Sequence, residues 1–201
     1  MKQLLVLAVI LTFAACNSSN VKTAAGEMDL TGFETSKLSG TDLLYVFKKD
    51  ENGNMLEEGF VKNGQKNGQW IMYDPIKGHM NSISAYTDGI LNGYSFKISD
   101  RGYLDEQIAY KNNVLDGKYF KFRYGKPKFE SYYIEGKLNG LQKEFYDNGK
   151  IQQETGFKDG VQDGVYNYYS DDGIMRMSYI YKNGEKVSGG IIEEQEENNE
   201  Q

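Results

Sequence analysis

One cysteine, one histidine, one tryptophan and two prolines in 201 residues leave several kinds of chemistry without material. A lone Cys16 has no partner for an intramolecular disulfide and cannot build a cysteine-ligated metal site. His79, the sole histidine, follows a turn glycine, so neither a Ser–His pair nor a His-based metal site is expected. The Asp-Gly steps, such as Asp172-Gly173, lack the tightly spaced carboxylates of a calcium loop and read as turns. No enzymatic activity, metal or cofactor is therefore expected. Long apolar runs are missing too. Leu4 to Phe13 is the longest, short of the roughly 20 residues that a membrane-spanning helix needs.

Glycine and aromatics are plentiful: 23 Gly, 16 Tyr and 10 Phe. The glycines fall on a grid. First positions are Gly64, Gly89, Asn113, Gly136, Gly160 and Gly184, and second positions are Gly68, Gly93, Gly117, Gly140 and Gly164, with Ser188 in the last slot. Third positions are Gly53, Gly78, Gly102, Gly125, Gly149 and Gly173, each the same distance ahead of a first position. Only the interval from second to third drifts, at a turn where one residue can be absorbed. A period of about 24 residues means stacked supersecondary units. Glycines at this density, each costing about 1 kcal/mol inside a helix, exclude helices, and aromatics favour strands. The expected fold is all-β, an elongated antiparallel meander sheet of stacked β-hairpin repeats.

Within the unit, Asn52-Gly53, Asn148-Gly149 and Asp172-Gly173 mark hairpin tips of type I′, with Arg101-Gly102 and Tyr124-Gly125 as weaker versions. A two-residue loop at Asn148-Gly149 would set Tyr146 opposite Ile151 and Lys143 opposite Glu154. One at Asp172-Gly173 would set Tyr168 opposite Met177 and Tyr166 opposite Tyr179. The joints between hairpins, Val61-Lys-Asn-Gly64 to Tyr181-Lys-Asn-Gly184, open with an aromatic in five of six copies. These aromatics are expected in a row on one face. Asn113 is the one exception to glycine in its slot, and asparagine is the residue that best tolerates φ > 0 after glycine.

The ends differ from the body. Residues 1–15 read as an export signal, with Lys2 ahead of the apolar run and Ala14-Ala15-Cys16 closing it, which resembles the lipobox of bacterial lipoproteins. Residues 16–40, rich in small polar residues, read as a lipid-anchored tether, residues 41–190 as the repeat domain, and residues 191–201 as an acidic tail. The tail and the signal account for most of the formal net charge of −6, so the body is near neutral.

The units aromatic-x-Asn/Asp-Gly, three residues, Gly, then a strand ending near Tyr-x-x-x-Gly-Lys resemble the bacterial variant of the MORN repeat family. Phe157-Lys-Asp-Gly160 to Gly164, Tyr146 to Lys150, and Val61-Lys-Asn-Gly64 to Trp70 carry the pattern. The resemblance implies a sheet of hairpins used for membrane attachment or protein contact. Some such chains are filed as YwqK-type antitoxins, a cytosolic role that fits poorly with an export signal. The expected function is a non-enzymatic, lipid-anchored interaction or structural module of the bacterial envelope. It would be periplasmic or surface-exposed, with the outer membrane as its expected location and an unknown protein as partner. A glycan-binding module, or an immunity-type protein that sequesters a toxin, is the alternative.

Two features bear on binding. Residues 118–129 hold Lys118, Lys121, Arg123, Lys126 and Lys128 among five aromatics and no acid until Glu130, a mixture suited to anionic headgroups. On a strand, however, Lys121 and Arg123 would share a side with Tyr119 while Phe120, Phe122 and Tyr124 face the other way, an ordinary amphipathic strand. No nucleic-acid partner is expected. Trp70 is the single tryptophan that could stack a sugar, where hairpin repeats that bind cell-wall glycans use paired tryptophans.

If Cys16 is the acylated residue, Cys16→Ser should leave the precursor uncleaved and abolish incorporation of labelled fatty acid. Unchanged labelling would rule the anchor out.

Overall fold

The computed structural model describes residues 27–192, so the export signal, Cys16, residues 17–26 of the tether and the acidic tail after Ile192 lie outside it. Among the described residues there is strand and turn and no helix. The strands are β1 (Glu34–Lys37), β2 (Leu44–Lys49), β3 (Met55–Lys62), β4 (Gln65–Tyr73), β5 (Met80–Thr87), β6 (Ile90–Ile98), β7 (Leu104–Lys111), β8 (Val114–Arg123), β9 (Lys126–Ile134), β10 (Lys137–Leu138), β11 (Gly140–Phe145), β12 (Ile151–Lys158), β13 (Val161–Tyr169), β14 (Met175–Lys182) and β15 (Glu185–Ile191). They form one open antiparallel meander in chain order, with β10 and β11 both hydrogen-bonded to β9. At about 4.8 Å per strand step the sheet runs about 60 Å from β1 to β15.

Turn chemistry sets the register, but the Asn-Gly and Asp-Gly tips do not take the type I′ form that the sequence suggests for them. Type I′ turns occupy the joints. Asn63-Gly64, Asp88-Gly89, Asn112-Asn113, Glu135-Gly136, Asp159-Gly160 and Asn183-Gly184 each have φ > 0 at both residues. They close two-residue loops such as Lys62 opposite Gln65 and Lys158 opposite Val161. At the tips, Asn52, Asn148 and Asp172 do not adopt positive φ; only the glycine that follows each does. Those tips are three-residue loops of the G1-bulge kind: Gly149 N–H donates to the Tyr146 carbonyl at 3.0 Å and Tyr146 N–H to the Lys150 carbonyl at 2.9 Å.

Ile151 therefore faces Phe145 and not Tyr146. A bulge one step inward restores the count, so Lys143 does face Glu154, Tyr168 faces Met177 and Tyr166 faces Tyr179. The drifting interval has a direct cause. The tip before His79 is a four-residue loop closed by Asp74 N–H on the His79 carbonyl, the tip at Gly102 has three residues, and Tyr124-Gly125 has two. Of the weaker sequence candidates, Tyr124-Gly125 is the one tip of type I′, with φ of 52° and 75°.

Each joint is bonded to the joint before it. The Gly89 N–H donates to the Lys66 carbonyl, Asn113 to Leu91, Gly136 to Leu115, Gly160 to Leu138 and Gly184 to Gln162, at 2.8 to 2.9 Å. The Asn or Asp that precedes the second-position glycine supplies a further link. Asp116, Asn139 and Asp163 accept from the N–H of Glu135, Asp159 and Asn183 in the next joint. The second-position glycines sit where the outgoing strand bulges, and the residue facing the bulge is small at three sites. A Cβ on Gly93 or Gly117 would lie 3.1 or 2.9 Å from Ala85 or Ala109 Cβ, and Gly156 faces Gly164.

The sheet is one layer, so its faces do unequal work. On the first face, register connects Val46, Gly59, Trp70, Ser84, Ser95, Ile108, Tyr119 and Ser131 in one row. Large and small side chains share this row: a Cβ on Gly59 would lie 2.2 Å from the Trp70 ring. The joint aromatics Tyr86, Tyr110, Tyr133, Phe157 and Tyr181 fall on this face, half-buried. Their ring contacts are with the outgoing strand, Tyr133 with Tyr119 and Tyr181 with Tyr166.

The tether expected up to Gly40 is partly folded. Strand β1 pairs with β2, the Met28 N–H donates to the Gly64 carbonyl, and Met28, Leu30 and Phe33 pack on Val46, Val61 and Trp70. Apolar residues in a polar-looking segment close the first edge of the sheet. Full burial of a large apolar side chain contributes about 1.5–3 kcal/mol, and these three, partly buried, contribute less than that each.

The joints set a stability test. Gly160 has φ 86° with open space around its would-be Cβ, so Gly160→Val carries backbone strain alone and should cost on the order of 1 to 3 kcal/mol. Asn113, at φ 64°, accepts from Leu91 N–H at 2.8 Å, so Asn113→Gly relieves strain but loses a bond. Its stability should stay within about 1 kcal/mol of the parent. Denaturant melts decide both, and a fully stable Gly160→Val would show that the slot does not require φ > 0.

Candidate functional site

The structure disperses the sequence-predicted binding residues. Trp70 is buried, 3% exposed, under Phe33 at 6.1 Å between ring centres. Its indole N–H donates to Glu57 at 3.0 Å and the Lys66 ammonium lies 3.9 Å from a ring centre, so this ring stacks no sugar. Burial there holds the Lys66 amine below its usual range, against the nearby Glu57. Of the five bases, Lys118 shares the second face with Phe120 and reaches Glu130. Lys121 lies over Tyr119 on the first face. Lys128 is bound by Asp147 at 2.5 Å and by the Phe145 carbonyl. Its hydrogen bond and charge, with Arg123 and Lys126 farther off, hold the Asp147 carboxyl below the ordinary carboxylate range. The five do not form one surface.

A different cluster forms at the tip edge. Between the Gly102 tip and the Tyr124-Gly125 tip lies a shallow groove of about 500 Å³. Ile98 and Phe122 line it with Asp100, Arg101, Tyr103, Asp105, Arg123 and Tyr124. Tyr103 and Tyr124 meet edge to face at 6.2 Å while remaining 45% and 59% exposed. The Arg101 and Arg123 guanidinium carbons each lie 5.7 Å from the Tyr124 ring centre. Exposed rings flanked by guanidinium and carboxylate groups offer both a stacking surface and paired donors and acceptors.

Tyr124 is also the bulky member of an otherwise polar set: the other residues first in a type I′ turn are Asn, Asp or Glu. A tyrosine held at φ 52° is strained. The sequence hint was its place in a glycine-grid slot where an Asn or Asp would be cheaper.

The second face carries a band of aromatic rings. Tyr94, Phe96, Phe120, Phe122 and Tyr132 share it by register, with Tyr94–Phe96 and Phe120–Phe122 ring pairs and Tyr94 50% exposed. Nearer β1 this face holds a structural carboxylate. Glu58 accepts from Tyr73 at 2.5 Å and from Tyr45, and burial first, then those bonds, pushes both phenols up to about 12. The described tips also bring His79 close to Asp74 and Asp100, a grouping that the isolated histidine in sequence gave reason to dismiss.

Compared with known proteins, the chain matches no family model and no curated sequence.

Replacing Tyr124 should separate strain from use. Tyr124→Asn is expected to raise stability by about 0.5–1 kcal/mol in urea melts, as a compatible residue takes the left-handed position. A loss of stability would mean that the ring's contact with Tyr103 outweighs the backbone strain.

Proposed function

We propose that the chain is a non-enzymatic, lipid-anchored MORN-type repeat protein of the bacterial envelope, and that it works as a protein-interaction module through the second face of its sheet. The observation that carries this reading is the aromatic band of Tyr94, Phe96, Phe120, Phe122 and Tyr132, with the two tyrosines exposed and the three phenylalanines half-buried, on a face that no second layer covers among the described residues. Contiguous apolar surface rimmed by polar groups is characteristic of contact surfaces, and tyrosine and phenylalanine are enriched at their centres. The second-face lysines Lys118 and Lys143 are paired with Glu130 and Glu154 of the sheet itself, so the charge on this face is largely spent internally. The lipid anchor and envelope location rest on the residues around Cys16, and the repeat assignment on the glycine grid.

A photo-crosslinking residue placed at Tyr94 or Tyr132 in intact cells should capture the same protein, and Tyr94→Asp should abolish capture from position 132. A crosslinker at Lys121, on the first face, should not capture it. Equal capture from both faces would overturn the assignment of the second face. If the captured protein is a toxin, the immunity-type role is the correct one.

The tip groove favours a second reading, glycan binding, since Tyr103 and Tyr124 present the exposed rings that buried Trp70 does not. Titration with cell-wall oligosaccharides would then show binding that Tyr124→Asn removes.

A further inference from the structure

We infer that Asp74, His79 and Asp100 form a binding site for a first-row divalent metal ion of the zinc class, which ties two successive hairpin tips together. The three residues come from two tips: Asp74 and His79 close the four-residue tip between β4 and β5, and Asp100 belongs to the next tip, between β6 and β7. One donor atom from each lies within 4.8 Å of the others. A zinc ion bound at about 2.0–2.1 Å holds its donors about 3.3 Å apart, so a small inward movement completes the set. Asp100 is the exposed member, on a tip, and can make that movement.

One feature points to a ligand, and two others bear on how it would be held. The Nε2 of His79 is enclosed and has no hydrogen-bond partner among the described residues, a costly state for a ring nitrogen that a metal bond would relieve. Asp74 is already fixed in place, because its Oδ1 accepts from the N–H groups of Ile76 at 2.9 Å and Lys77 at 2.7 Å. Such hydrogen-bonded carboxylates are typical of pre-oriented ligands. The site also holds a cation already. The Lys77 ammonium reaches Asp100 Oδ2 at 2.6 Å, with its side chain 49% exposed and free to swing away. An imidazole nitrogen with two carboxylate oxygens suits zinc, cobalt or manganese better than calcium, and three protein donors leave positions for water.

The idea is tested on the detergent-solubilised full chain, made without a histidine tag and titrated with Zn²⁺ by calorimetry. His79→Ala and Asp100→Asn should each weaken binding by at least about tenfold, and Lys77→Ala, which removes the competing ammonium, should strengthen it. The loss in His79→Ala separates this site from Cys16 and the acidic tail. Because the chain has a single histidine, Co²⁺ should shift one set of imidazole proton resonances. Zn²⁺ affinity unchanged in a folded His79→Ala protein, or weakened in Lys77→Ala, would overturn the site.

Discussion

The structure depends on the amide of the second residue of each joint turn, which donates to the carbonyl two residues past the previous joint. That bond forms only when both turn residues hold φ > 0, since the left-handed pair is what turns the amide outward along the sheet toward the preceding unit. One conformational requirement therefore closes a hairpin and docks it on its neighbour. The glycine grid records both tasks, and so does its Asn113 exception, which keeps the backbone bond and adds a side-chain one.

A single-layer sheet must bury what it can within its own faces. The first face does so by setting small residues against large ones along a row, with Gly59 beside Trp70 and Ser95 beside Ile108. The second face leaves Tyr94 and Tyr132 exposed, even though Tyr94 stands opposite the small Ala109. The difference follows from composition at single positions and not from the repeat, which is why two faces of one regular sheet can differ in use.

Much of this was legible in the sequence. Spacing and composition together pointed to the all-β class and the hairpin repeat, whereas the two-residue loops expected at Asn148-Gly149 and Asp172-Gly173 have three residues. The turn type at those tips was not legible. Asn-Gly and Asp-Gly occur at both kinds of turn, and an Asx side chain that accepts from the amide two residues on, as Asn148 does from Lys150, stabilises a type I turn as readily as an Asn in a type I′ turn. The folded part of the tether was missed because Met28, Leu30 and Phe33 are isolated among polar residues; only the pocket over Trp70 gives them a purpose. The groove at Tyr124 and the Asp74–His79–Asp100 group join residues from separate tips, and a one-dimensional reading sees each of them alone.

The packing of Met28, Leu30 and Phe33 over Trp70 gives the sheet a direction. One end is closed by a small core that includes Val46 and Val61, while β15 at the other end is exposed along nearly its whole length and its grid has already failed at Ser188. In a stack where each unit leans mainly on its neighbours, disorder enters from the open end and travels inward one hairpin at a time. Amide protons should therefore exchange in a gradient along the chain, slowest near β3 and β4. Under the proposed anchor at Cys16, the chain would be held by its firm end, and the end that unravels first would be the one farthest from the membrane.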